Sequence, residues 1–335
     1  MQVYRDMDEY ARSAGPCVAA LGMFDGVHAG HAALIAEAVR QARARGVAAV
    51  AVTFDVNPLR VLRPECAPGD IQSLDEKLAA LAALGLDATV CEAFTAEFAR
   101  RPGEAFARDL ADKLRVRAIV AGYNYTFGDR GACGPDELRR LGDELGFDVV
   151  IVPPVEMDGC AVSSTRVRQK LAEGDIAGVS ELLGRPYELS GTVAHGKRLG
   201  RRLGFPTANL NIAPGRALPR AGVYICALNF GGEWLPGVLN IGSQPTVPSG
   251  HMTCEAHVLQ DVGDVYGQYM TVRFIEFGRP ERKFDGVEEL REQVERDKAN
   301  ARAYFQAHDG LLAALNAERT PQNKLQITNL TFTNR

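Results

Sequence analysis

Over the first half of the chain, continuous apolar runs alternate with segments of helical spacing. Val18-Ala19-Ala20-Leu21 and the run from Val47 to Phe54 are apolar without alternation, which is the pattern of strands buried on both faces of a parallel sheet. Between them, Leu34, Ile35, Ala38, Val39 and Ala42 recur at helical spacing over 32–45, and Gly46 offers a C-terminal stop. Ser73 with Glu76 three residues on forms a capping box ahead of Leu74, Leu78, Leu81, Ala82 and Leu84. Strand-like 88–91, helical 102–114, strand-like 118–122, helical 135–145 and strand-like 149–152 follow in turn. Strands alternating with helices predict right-handed βαβ units in a doubly wound parallel sheet, an α/β fold whose ligand lies beyond the carboxyl ends of the strands.

After a helical pattern over 176–183, Gly184-Arg185-Pro186-Tyr187 breaks the rhythm. Short β-like runs at 187–193, 222–228, 237–241, 251–259 and 270–277 then alternate with Gly and Pro turns, predicting a small antiparallel β-barrel. An amphipathic helix over 287–307 closes it, with Val287, Leu290, Val294, Ala301, Tyr304 and Phe305 on the apolar face. The expected domains are 1–185 and 186–310, followed by a flexible tail over 311–335.

Composition narrows the class. The chain has 335 residues, 46% hydrophobic and 24% charged, with a net charge of −4. No basic footprint argues for nucleic acid. No apolar run reaches the ~20 residues of a membrane span, and Met1–Asp6 has no signal-peptide core. Seven scattered cysteines with no Cys-x-x-Cys read as reduced cytosolic thiols, so a cytoplasmic location is expected. Neither a Gly-x-Gly-x-x-Gly after the first strand nor a Gly-x-x-x-x-Gly-Lys-Ser/Thr occurs, which disfavours a dehydrogenase or a P-loop kinase.

The candidate chemistry is phosphate chemistry. Gly22-Met23-Phe24-Asp25-Gly26-Val27-His28-Ala29-Gly30-His31 places two histidines where a strand turns into a helix. Free N–H groups and the helix dipole make that end an anion site, and Gly30 permits close approach. Ordinary capping or core histidines are the alternative. Ser163-Ser164-Thr165 opens another helix, with Arg166 and Arg168 behind it. That is N-cap chemistry which also suits phosphate, or a plain cap. The loop 122–128 could stack aromatics on a flat ring, with Asn124 bonding its edge, or simply pack as an aromatic turn. In the barrel half, Gly196-Lys197-Arg198-Leu199-Gly200-Arg201-Arg202-Leu203-Gly204-Phe205-Pro206-Thr207-Ala208-Asn209 reads as one loop able to wrap phosphates, or as a solvated basic turn. Thr207 and Asn209 supply oxygens suited to Mg²⁺ shared with phosphates. Glu255 lies in a strand, facing either solvent or a site as a general base.

These segments, with Thr53-Phe54, Gly200 to Leu210, Gly222-Val223-Tyr224, Asn240 to Thr246 and Glu255-Ala256-His257, occur in the order found in the prokaryotic bifunctional riboflavin kinase/FAD synthetase family, which the chain resembles over about 15–305. The resemblance implies a Rossmann-like nucleotidyltransferase domain and a riboflavin-kinase-like barrel. It implies that ATP phosphorylates riboflavin to FMN, with Glu255 taking the hydroxyl proton and Thr207 and Asn209 holding Mg²⁺. Gly196, Lys197, Gly200, Arg201 and Gly204 would cover the phosphates. FMN would then attack a second ATP, giving FAD and pyrophosphate. His28 and His31 would stabilise the phosphoryl charge. Gly22, Phe24, Asp25, Gly30, Ser163, Ser164, Thr165 and Arg168 would bind nucleotide phosphates, and Phe54 and Asn124 the flavin. One departure stands out: the family's x-Pro-His-Pro after Thr-Phe reads Asp55-Val56-Asn57-Pro58 here. A single retained activity, most plausibly the kinase, or a non-catalytic flavin-binding regulator, are the competing readings. The oligomeric state is not encoded in any of these segments.

Overall fold

The computed structural model describes residues 1–194, 207–243 and 252–317, which fall into two compact units, the first Met1–Ser164 and the second beginning at Thr165.

The first unit is the expected parallel α/β layer. It runs β1 (Gln2–Tyr4), α1 (Met7–Ser13), β2 (Cys17–Leu21), α2 (Ala29–Arg45), β3 (Ala48–Phe54), α3 (Pro58–Leu62), α4 (Leu74–Ala83), β4 (Ala88–Glu92), α5 (Ala96–Ala99), α6 (Gly103–Asp112), β5 (Val116–Gly122), α7 (Pro135–Leu145) and β6 (Asp148–Val152). A short hairpin, β7 (Glu156–Met157) with β8 (Cys160–Ala161), ends it. The sheet order is β1-β4-β3-β2-β5-β6, with every pairing parallel. The chain moves outward from β2 through β3 to β4, then returns to β5 on the other side of β2. The switch point therefore lies between β2 and β5, where such sheets open a crevice at their carboxyl ends.

The central strands are apolar on both faces because both faces are covered. Ala19, Leu21, Val50 and Ile119 pack with Phe106, Leu110, Leu138 and Leu141 of α6 and α7. Val18, Ala20, Ala49 and Val120 pack with Leu34, Ile35, Ala38 and Leu81 of α2 and α4. The Ser73–Glu76 capping box forms as expected. α2 begins at Ala29, earlier than the apolar period indicated, because His28 supplies the cap. The strand β1 was not foreseen: at three residues it is too short to show a period, and its pairing with β4 is what defines it.

The second unit opens with α8 (Ser164–Glu173, whose first residue belongs to the first unit) and α9 (Ile176–Leu183). A closed six-stranded antiparallel barrel follows, formed by β9 (Glu188–Ala194), β10 (Ala208–Asn211), β11 (Gly222–Asn229), β12 (Trp234–Ser243), β13 (Met252–Val258) and β14 (Tyr269–Pro280), in the order β10-β13-β12-β11-β14-β9. β9 closes onto β10. Gly191 makes that closure possible, since a Cβ there would lie 2.2 Å from the Asn211 carbonyl oxygen.

The helix Val287–Ala307 lies on the barrel's outer face, where Ala301, Tyr304 and Phe305 meet Val223, Ile225 and Val238. Its buried face differs from the apolar reading. Val287 is exposed, whereas Gln293 and Asp297 are buried with Ala301. Asp297 is satisfied by a bidentate bond from Arg279 of β14, at 2.9 Å from Nε and 2.7 Å from Nη2. The expected flexible tail starts instead with a helix, Leu311–Ala317. Leu315 is buried there beside Trp234, and the Asn316 side chain accepts the Trp234 N–H at 2.7 Å. The rest of the tail lies outside the described residues.

Candidate active sites

The turn from β2 into α2 is held in a conformation that most side chains avoid. Phe24, Gly26 and Val27 have φ of 53°, 84° and 39°, and a β-branched residue there is strained. The surroundings over-determine it. The Val27 N–H donates to the Phe24 carbonyl at 3.1 Å. The Asp25 carboxylate accepts the Ile71 N–H at 3.0 Å, and Ser164 Oγ donates to the Asp25 carbonyl at 2.8 Å. Thr53 Oγ1 donates to the Met23 carbonyl at 3.0 Å.

This turn delivers the two histidines to one place. His28 is the N-cap of α2, its Nδ1 accepting the His31 N–H at 3.3 Å. That bond fixes Nδ1 as the acceptor, so the neutral ring carries its proton on Nε2. The imidazoles stack with centroids 3.7 Å apart and planes 16° from parallel. Phe24 braces His31 edge-on at 5.3 Å. Gly30 has a further use: a Cβ there would meet the His28 ring at 3.2 Å, so glycine makes room for the stack. Capping and site chemistry are thus two uses of one side chain.

The histidines open on a cavity of about 870 Å³ contained in the first unit. Gly22, His28, Gly30, His31, Ser163 and Ser164 line its phosphate-suited side. Phe54 and Asn124 line it too, together with Phe94, Phe98, Phe106, Tyr125 and Phe127. Phe54 meets Phe94 at 4.9 Å and Phe98 at 5.1 Å, both edge-to-face. The lining thus combines an aromatic cluster with a polar, glycine-bearing stretch, the mix of groups that a flat aromatic ligand bearing a phosphate needs.

Two expected residues stand elsewhere. Phe24 is fully buried and Asp25 is 7% exposed, and neither lines the cavity. The turn's left-handed backbone carries both inward, where they support it. Thr165 and Arg168 follow on α8 in the second unit. Arg63, Arg101 and Arg130 line the cavity without having been singled out. Cations close behind Asn57-Pro58 and Gly128, and just ahead of Pro102, were the available signal. Asn57 itself caps α3, its side chain accepting the Leu59 N–H at 3.0 Å.

In the barrel, Asn209 sits on β10 rather than in the preceding loop, and the ladder aligns it with Glu255 of β13. Glu255 in turn aligns with Asn240 of β12, Asn240 with Val223 of β11, and Val223 with Arg279 of β14. Register partners share a face. The adjoining row, Ala208, Ala256, Leu239 and Tyr224, is buried in the barrel interior. Asn209, Glu255 and Asn240 therefore form a polar row on the outer face, and that row runs on to Val223, packed beneath the terminal helix. A cavity of about 410 Å³ beside it is lined by Asn209, Arg216, Thr253 and Cys254 among others. Thr207 is half-buried just before β10. Gly196, Lys197, Gly200, Arg201 and Gly204 lie outside the described residues.

No described helix is long and apolar enough to cross a membrane. A family model for FAD synthetase matches residues 11–166, and one for riboflavin kinase matches residues 183–305. Curated relatives named bifunctional riboflavin kinase/FMN adenylyltransferase include those of Escherichia coli K12, 38% identical over 86% of this chain and 93% of that one, and Pseudomonas fluorescens, 37% identical over 90% and 97%. The Bacillus subtilis relative of the same name is 33% identical over 89% and 94%. A solved structure described as a macrolide-efflux protein from Streptococcus pneumoniae matches with a TM-score of 0.81 at 28% identity, covering 90% of this chain and 99% of that one. With both family models in order along one chain and relatives matched over nearly their full length, the chain belongs to the bifunctional riboflavin kinase/FMN adenylyltransferase family.

Proposed function

We propose that the chain makes FAD from riboflavin in two ATP-dependent steps, one in each half, with the modules meeting near residue 185 and the barrel module running to about 310. The observation that carries the first-unit reading is the stacked His28–His31 pair lining a cavity whose other residues include an aromatic cluster and the phosphate-suited Gly22, Gly30, Ser163 and Ser164.

In the barrel module, the riboflavin 5′-hydroxyl attacks the γ-phosphate of ATP, the bond from that phosphorus to the β,γ-bridging oxygen breaks, and ADP leaves. Glu255 accepts the hydroxyl proton. Thr207 and Asn209 contribute neutral oxygens to Mg²⁺ held jointly with the phosphates. Hard oxygen donors of this kind suit that ion, and the Asn209–Glu255 alignment supports the assignment by putting an amide oxygen and a carboxylate on one face. When bound, Mg²⁺ would neutralise charge on the transferring phosphoryl group. The 196–204 loop would cover the phosphates.

In the first unit, the FMN phosphate attacks the α-phosphate of a second ATP and pyrophosphate leaves. Phe54 and Asn124 hold the isoalloxazine side. His28 and His31 donate to the phosphoryl oxygens as charge spreads onto them, and Gly22, Gly30, Ser163 and Ser164 bind the nucleotide phosphates; Thr165 and Arg168 keep their phosphate assignment on the family resemblance alone. Phe24 and Asp25 act by holding the turn. The chemistry requires alignment and preorganised donors, not a covalent nucleophile. A cytoplasmic location belongs to the same proposal, supported by seven cysteines of which none is in a disulfide.

The test is incubation with riboflavin, ATP and Mg²⁺, with the flavins resolved by chromatography. FMN followed by FAD is the expected result. FMN alone would restrict the chain to the kinase, and neither product would leave a binding protein.

A further inference from the structure

Lys77 is a buried cation with no place in the chemistry above. It lies in the first turns of α4, directly after Glu76 of the capping box, so its backbone position is fixed by that box. It is 5% exposed. Nζ donates to the Phe54 carbonyl at 2.6 Å, to the Met23 carbonyl at 3.4 Å and to Thr53 Oγ1 at 3.4 Å. These three neutral acceptors match the three donors of an ammonium. Acidic groups stand close enough to act on it electrostatically: the Cys91 thiol on β4, Asp25 in the β2–α2 turn, Asp70 before α4 and Asp55 after β3. Burial pushes the lysine pKa down, and these neighbours hold it up.

A buried lysine held by neutral acceptors is costly, and an apolar side chain would fill the same space without that cost. Its partners indicate what the cost secures. Met23 belongs to the histidine-bearing turn and Phe54 to the aromatic cluster, and both line the 870 Å³ cavity. We infer that Lys77 is a positioning residue for adenylyl transfer, tying the carbonyl of Met23 to that of Phe54 so that the phosphate side and the flavin side of the cavity keep a fixed spacing. Thr53 is the second strand of the tie, since its hydroxyl accepts from Lys77 and donates to Met23. The inference rests on the reading that this cavity converts FMN to FAD.

The experiment compares wild type, Lys77→Met and Thr53→Val in the full chain. Initial rates of FMN-to-FAD conversion are measured with amide hydrogen exchange of 22–31 and of β5. A shift of about 1 Å at a reacting centre is enough to cost about 10²-fold in rate. Lys77→Met is therefore expected to lower kcat by at least about tenfold while KM for FMN and ATP changes by no more than about threefold. Exchange should accelerate in 22–31 and stay slow in β5. Thr53→Val, which keeps the cation, should show the same pattern more weakly. Lys77→Met with kcat unchanged overturns the inference, as does equal loss of protection in β5, which would make Lys77 a general stabiliser. A wild-type chain that forms no FAD overturns the adenylyl-transfer reading instead. In that case the exchange of 22–31 still decides whether Lys77 holds the turn.

Discussion

Asn209 and Glu255 face each other across the β10–β13 ladder. An amide oxygen for a shared cation and a carboxylate for the hydroxyl proton are thereby placed side by side by main-chain hydrogen bonds. If Glu255 is the base, Glu255→Gln should lower riboflavin phosphorylation by about 10²- to 10⁴-fold, the range for loss of a positioned proton acceptor. FMN-to-FAD conversion should be unchanged. Separate assays starting from riboflavin and from FMN check this, and parallel loss of both activities in a folded protein would contradict the two-site assignment.

The double use of His28 can be divided by substitution. His28→Asn keeps a side chain that caps helices well, while His28→Ala removes the cap and should cost about 1 kcal/mol of stability. Both should lose FAD formation by about 10²-fold, the scale for removing one preorganised donor. Thermal melts and FMN adenylylation rates of the pair separate the roles. Equal activity of His28→Asn and wild type would reduce His28 to a cap.

His31 is not the cap, so His31→Ala should leave helix stability nearly unchanged and again lower FAD formation by about 10²-fold. Riboflavin phosphorylation measured in the same preparation should stay at the wild-type rate. A fall in the kinase reaction alone would put the histidines in the wrong module.

The Arg279–Asp297 pair anchors the terminal helix to the barrel. Removing Asp297 leaves the partly exposed Arg279 guanidinium without its charged partner, so Asp297→Ala should destabilise the barrel unit by about 2 kcal/mol, the scale of a hydrogen bond to a charged group. The midpoint of thermal inactivation of riboflavin phosphorylation is the readout, and FAD formation from FMN should inactivate at its usual temperature.

Asp175 caps α9. The Lys170 ammonium beside it, then the Gly178 N–H, hold its carboxyl below the usual range. Because the folded-state pKa is depressed, the carboxylate's contribution is present above the ordinary value of about 3.9 and fades as pH falls through and below it. Asp175→Ala should cost about 1 kcal/mol at neutral pH. Melting curves of wild type and variant, apart at pH 7, should converge as pH falls well below 4.

What could be read in the sequence tracks how local each determinant is. The uninterrupted apolar runs marked β2, β3 and β5, because strands covered on both faces need no polar positions. The strand-to-helix histidines and the capping box announced themselves for the same reason: their partners are three residues away. β10 escaped because Ala208–Asn211 is too short and too polar to show a period, and only pairing with β9 and β13 makes it a strand. The buried face of the terminal helix was misread because Asp297 looks like a solvent residue until Arg279 arrives from β14. Phe24 and Asp25 sit inside the site motif yet support it from behind, a consequence of the left-handed turn. Lys77 gave no signal because two of its three acceptors are main-chain carbonyls, which every residue has.

The polar row on the barrel has a consequence for how the kinase half comes into being. Asn209, Glu255 and Asn240 come from three different strands and meet only through ladder register. Slipping one strand by one residue would turn its member of the row into the interior. The set needs β10, β12 and β13 paired in this register, so a chain emerging from synthesis cannot assemble it until β13 has been made.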